Sequence, residues 1–111
     1  MAKLATYWQR GEAIDYKNET GAKIPADTVL IIGSVLGVAG GDIADGEVGA
    51  VHVNGVFEIP KKATVALTAG QKVTFTDKDG IDAAGDGAVV YGYATQAAAA
   101  SDATAIVKLL G

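Results

Sequence analysis

The side chains of this chain that could move a proton, hold a metal or carry a cofactor are one histidine, thirteen carboxylates and a scatter of lysines; there is no cysteine. Thiolate nucleophiles, disulfides and cysteine-based metal sites are therefore excluded. His52 would need a nucleophile beside it to work as a catalytic base, but the serines are Ser34 and Ser101, and neither sits in a strained Gly-x-Ser-x-Gly turn. His52 reads instead as a surface or interface histidine. Asp77, Asp79, Asp82 and Asp86 suggest a calcium loop, which needs glycine at its sixth position and glutamate at its twelfth. Counting from Asp77 puts Asp82 sixth, and counting from Asp82 puts Tyr93 twelfth, so both registers fail. The aspartates read as a solvated turn cluster.

Other fragments fail on spacing or context. Gly70-Gln71-Lys72 lacks the glycine spacing and following hydroxyl of a phosphate loop. Asn18-Glu19-Thr20 has the form of a glycosylation sequon, but the N-terminal residues do not read as a secretory signal, so it is taken as a turn. Asp42, Asp45 and Glu47 lie in a glycine-rich turn and read as turn formers bonding their own backbone. Gly70 with Val73, followed by Thr76-Asp77-Lys78, resembles the layout of lipoyl and biotinyl carrier domains, which present a modified lysine on a hairpin tip. Such a tip requires a strand directly after the lysine, and residues 79–85 read as a polar loop. A carrier modified on Lys78 stands as the alternative function, with a small enzyme or sugar-binding β domain behind it. No catalytic, cofactor or metal residue is assigned.

The elements that must position these residues are short strands. Fifteen glycines punctuate runs of Val, Ile, Thr and Ala, and no segment keeps a helical period. The fold class is all-β: a small single-domain barrel or sandwich of antiparallel strands, with residues 1–12 as an extended arm and 13–111 as one β domain. Strands are expected at 13–16, 29–32, 35–39, 47–53, 56–59, 64–67, 72–76, 88–94 and 105–110. Those in 28–39 read as buried. Asn54-Gly55 predicts a tight hairpin between the fourth and fifth strands, because both residues tolerate positive φ. Pro60 is expected to end pairing, and residues 96–104 to form a loop or one or two helical turns. No internal repeat is visible.

A net charge of −4 without a basic face argues against nucleic acid, and the longest apolar run is too short and too glycine-broken to span a membrane. Aromatics make up 6% of the chain. Such a ring-poor core gains from burying surface against a partner. Tyr7 and Trp8, with Arg10, stand in the otherwise polar arm, and such side chains are favoured interface anchors. Tyr7, Trp8, Arg10 and His52 are the expected interface residues; Trp8 either folds back onto the β domain or docks on a neighbour.

Several motifs, in order along the chain, carry a family resemblance: Gly11 with Ile14-Asp15-Tyr16; Ile31-Ile32-Gly33; Ile43-Ala44-Asp45-Gly46-Glu47-Val48-Gly49; Gly55-Val56-Phe57-Glu58-Ile59-Pro60-Lys61; Gly70 with Val73; and Val107-Lys108-Leu109. The chain resembles the capsid cement, or head decoration, proteins of bacteriophages and prophages. The resemblance implies a non-enzymatic homotrimer on the outer surface of an icosahedral head. There it would bind the major capsid protein and stabilise the shell, after assembly in the host bacterial cytoplasm. Lys108 stands where the family pattern leads one to expect arginine.

Overall fold

A computed structural model describes residues 2–7 and 10–110. Among them there is no helix, and nine strands form two antiparallel sheets. The first sheet holds β1 (Ala13–Lys17), β2 (Val29–Ile32), β3 (Val35–Ala39) and β4 (Val48–His52) in the order β1-β4-β3-β2. The second holds β5 (Gly55–Pro60), β6 (Lys72–Thr76), β7 (Gly80–Ala83), β8 (Gly92–Ala94) and β9 (Thr104–Leu109) in the order β5-β9-β8-β6-β7. The arrangement is sandwich-like, and the barrel alternative is set aside. The second sheet nevertheless curls until its edges touch, where Lys61 bridges Ile81 and the Lys62 amide donates to the Ile81 carbonyl at 2.8 Å.

Several sequence expectations change. Asn54-Gly55 does not close a hairpin: β4 pairs with β1 and β3, whereas β5 pairs with β9. Gly55, at φ 117°, carries the chain from one sheet to the other. Pro60 does not end pairing but lies opposite Thr104. Residues 64–67 form no strand, only a bridge from Leu67 to Ala98, and β8 is shorter than expected. Residues 96–104 contain no helical turn. The 77–87 segment is not all loop, because β7 pairs along β6 from Thr76–Gly80 to Val73–Ala83. Of the two strands read as buried, β3 is buried along most of its length, but β2 is an edge strand with Ile31 42% exposed.

The two sheets are built on one plan. In each, a first strand (β1 or β5) pairs with the last (β4 or β9). The amide just after the first strand then donates across the turn: Asn18 to the Glu47 carbonyl, Lys61 to that of Ala103. A turn residue at positive φ follows, Asp27 (68°) or Gly70 (83°), whose amide donates to Ala39 or Ala94. The amides of Ala39 and Ala94 donate back to Thr28 and Gln71. Two loops in each half are joined by reciprocal backbone bonds, Ile24 with Ile43 and Leu67 with Ala98. Gly37 and Gly92 occupy equivalent places, where a Cβ would strike Val51 and Lys108 respectively. The chain thus contains a structural repeat that its residue types conceal. β7 is the extra strand of the second half.

Each half buries its own apolar cluster. Ile24, Ala39, Ile43, Val51 and Val53 form one, with Ile14, Tyr16, Leu30 and Ile32 partly buried around it. Ile59, Val73, Phe75, Ile81, Val107 and Leu109 belong to the other, larger cluster. The opposite face of β3 supplies Leu36 and Val38 to that larger cluster, which locks the halves together.

Candidate functional site

Two buried polar residues occupy the equivalent position in the two halves, just after the first strand. Asn18 is 0% exposed. Its Nδ2 donates to the Ala22 carbonyl at 2.7 Å and the Ile43 carbonyl at 2.9 Å, and its Oδ1 accepts from the Thr20 amide and hydroxyl. Its own amide and carbonyl are also bonded, to Glu47 and Gly46. The sequon asparagine is therefore the keystone of a loop junction and offers no amide to a glycan. Lys61, also buried, donates from Nζ to the Val65 (2.5 Å), Lys62 (3.0 Å) and Ala100 (3.4 Å) carbonyls. Lys61 is in none of the described ion pairs; its described acceptors are all backbone carbonyls. Both groups are spent on structure.

The residues singled out for chemistry do not converge. His52 is exposed on β4, with its ring 6.2 Å from the Phe57 ring. The four aspartates are divided between the β6–β7 turn (Asp77, Asp79), β7 itself (Asp82) and the loop beyond (Asp86). Asp82 caps the Ala83 amide at 2.8 Å and pairs with Lys62 at 3.8 Å. Among the described residues no three His, Cys, Asp or Glu side chains are grouped to hold a metal ion. Asp42 and Asp45 do not bond their own turn: they accept from the Ala26 and Gly21 amides of the facing loop. A depression of about 210 Å³ lies beside Glu58, Asp102 and Thr104, but Glu58 is already bonded to the Thr104 hydroxyl at 2.9 Å. Ligand pockets usually run from about 300 to 1,000 Å³.

Lys78 needs a correction. The structure sets it, exposed, at the tip of the β6–β7 hairpin, with a strand directly after it. The expected polar loop, which argued against a carrier lysine, is not there. Geometry alone leaves the carrier alternative standing.

The interface candidates fare unevenly. Tyr7 does not fold back: it is 81% exposed, and Leu4, which sequence pattern did not single out, is 95% exposed. Arg10 is exposed, and Trp8 lies outside the described residues. Val48, Val56 and Leu110 are further exposed apolar side chains. The signal available for Leu4 was its place as the one large aliphatic residue between Ala2 and Tyr7, in a segment outside every core strand. What the surface offers is an exposed N-terminal segment carrying Leu4 and Tyr7, outside every strand, and an edge strand, β2, with no partner on its outer side among the described residues; both are features for binding protein.

A family model described as phage cement protein matches residues 8–109. No curated protein and no solved structure gives a significant match.

Proposed function

The chain belongs to the phage cement protein family, and we propose that it acts without catalysis, as a homotrimer that binds the outside of an icosahedral head and stabilises its shell. The family is structural, and its name ties it to the phage capsid. The carrying observation is the family match over nearly the whole chain. It also outweighs the carrier reading of Lys78, whose support is a hairpin tip alone.

On this reading the chain is one β domain, 13–111, preceded by an extended arm, 1–12. Tyr7, Trp8, Arg10 and His52 lie in interfaces with neighbouring subunits or the major capsid protein. A cyclic trimer presents each weak contact three times at high effective concentration, so modest contacts sum to firm attachment. The site of action is the outer capsid surface of the virion, after synthesis in the bacterial cytoplasm.

The test is co-sedimentation with expanded heads of the cognate phage. Full-length protein should pellet with the heads and raise the temperature at which they rupture. A variant without residues 2–12 should pellet at least tenfold less. Failure of the full-length protein to bind overturns the proposal; equal binding by the truncated form overturns the role of the arm. A lipoyl or biotinyl mass adduct on Lys78 in protein purified from its host would favour the carrier instead.

A further inference from the structure

The repeat shows what the first half lacks. In the second half, β7 lies along β6 and reaches the end of β5, and it seals the core beneath: Val73 is 0% and Phe75 9% exposed. In the first half no described residue lies along β2 in the corresponding place. The equivalents of Val73 and Phe75, Leu30 and Ile32, are only half-buried, as is Tyr16, the equivalent of Ile59. The exposed edge reads Val29-Leu30-Ile31-Ile32. Edge strands are normally guarded by charge, proline or a bulge, because bare backbone and apolar side chains invite another strand. This one has no such guard.

We infer that the open edge of β2 is covered by the N-terminal arm of a second copy, added as a strand. The arm has the right form. Residues 2–7 are exposed and outside every strand, and no described hydrogen bond joins them to the rest of the chain. Leu4 offers an apolar side chain that the β domain leaves in solvent. With Leu4, the large aliphatic side chain of the arm, in the place that Ile81 holds opposite Phe75, the β7 register puts Leu4 opposite Ile32 and Ala5 opposite Ile31.

Connectivity excludes the chain's own arm from this arrangement. β7 is antiparallel to β6 and parallel to the end of β5. A strand in the equivalent place is therefore parallel to β1, which the arm itself leads into. Parallel neighbours require a crossover of roughly a dozen residues, and only residues 8–12 separate the arm from β1 at Ala13. A donor from another copy meets no such limit. Each copy then gives one arm and accepts one, a head-to-tail contact that closes into a ring. This rests on the trimer reading and deepens it by naming the contact that builds it.

The chain's lack of cysteine makes the test clean. Two single variants, Ala5→Cys and Ile31→Cys, are mixed at equal concentration, one of them isotopically heavy, and oxidised mildly. The expected product is a mixed disulfide dimer, joining position 5 of one copy to position 31 of the other, in at least fivefold excess over either like-with-like dimer. The double variant should give linked oligomers that close at the native subunit number. Hydrogen exchange at residues 30–32 should be slow in the wild type and faster by at least tenfold when residues 2–7 are deleted. Adding the synthetic peptide AKLATYWQR should restore the protection. An intramolecular disulfide in the double variant overturns the inference, because the arm then folds in cis. So does rapid exchange at residues 30–32 that slows only on heads, because the shell protein is then the occupant. Either result leaves head binding itself intact, so the two readings fail separately.

Discussion

Replacing Asn18 by aspartate changes one NH₂ group into an oxygen and tests the keystone role directly. The Nδ2 position lies 2.7 Å from the Ala22 carbonyl and 2.9 Å from that of Ile43, in a site with no exposure. Loss of two such bonds costs about 2 kcal/mol at a net worth near 1 kcal/mol each. The charge adds a second cost. A carboxylate facing two carbonyls is destabilised in the folded state, so its folded pKa rises above the unfolded value of about 3.9. A raised carboxylate pKa means that the protonated form is favoured on folding. The penalty is therefore absent below about pH 3.9 and grows at about 1.4 kcal/mol per pH unit until the folded pKa is passed. By pH 7 it reaches at most about 4 kcal/mol on top of the lost bonds. Urea unfolding followed by far-ultraviolet circular dichroism between pH 3.5 and 7 measures this, with the wild-type profile subtracted. Asn18→Ala serves as the control: it removes all four side-chain bonds and should lose about 4 kcal/mol with no added pH dependence. If Asn18→Asp tracks Asn18→Ala at every pH, or lies within about 1 kcal/mol of wild type at pH 7, the keystone argument is wrong.

Two further substitutions probe the same framework, beside the head-binding and cross-linking tests above. Lys61→Met keeps the aliphatic stem but removes three part-buried hydrogen bonds to backbone carbonyls; a loss of about 2 kcal/mol in chemical denaturation is expected, against less than about 1 kcal/mol for Lys62→Met, whose ion pair with Asp82 is part-exposed. Gly92→Ala would drive a methyl into the Lys108 carbonyl oxygen, forcing β8 from β9 and costing about 2–3 kcal/mol, whereas Gly85→Ala, in open space, should stay within about 0.5 kcal/mol by thermal melting.

Local patterns disclosed the strands but not their partners. The alternation in Val73 and Phe75, or in Phe57 and Ile59, marks a half-buried strand whatever it pairs with. Asn54-Gly55 has the chemistry of a tight turn, yet β4 is claimed by β1 and β5 by β9, partners far away in the chain. Tertiary pairing overrode turn preference there. β7 escaped notice because Gly-Ile-Asp-Ala has one β-branched residue and is made a strand by β6. The repeat was hidden because equivalent positions share a backbone task rather than a residue: asparagine answers lysine at 18 and 61, and aspartate answers glycine at 27 and 70. At the candidate site, Tyr7 was legible as a large ring stranded in a polar segment. The edge strand that the arm fits was not, because Val29-Leu30-Ile31-Ile32 has the composition of a buried strand and only its missing neighbour exposes it.

The passage from β4 to β5 through Val53, Asn54 and Gly55 has a mechanical meaning. Among the described residues no strand ladder joins the two sheets; what spans them is this single covalent strap, the His52–Phe57 ring contact beside it, and the apolar seat of Leu36, Val38 and Val29 in the larger cluster. A ladder loaded along its bonds resists stiffly and then tears, whereas apolar contact has no preferred direction and yields by small rolling displacements. In the proposed role on a capsid shell, this seam would take up strain as a compliant gasket does, with both hydrogen-bonded plates left whole.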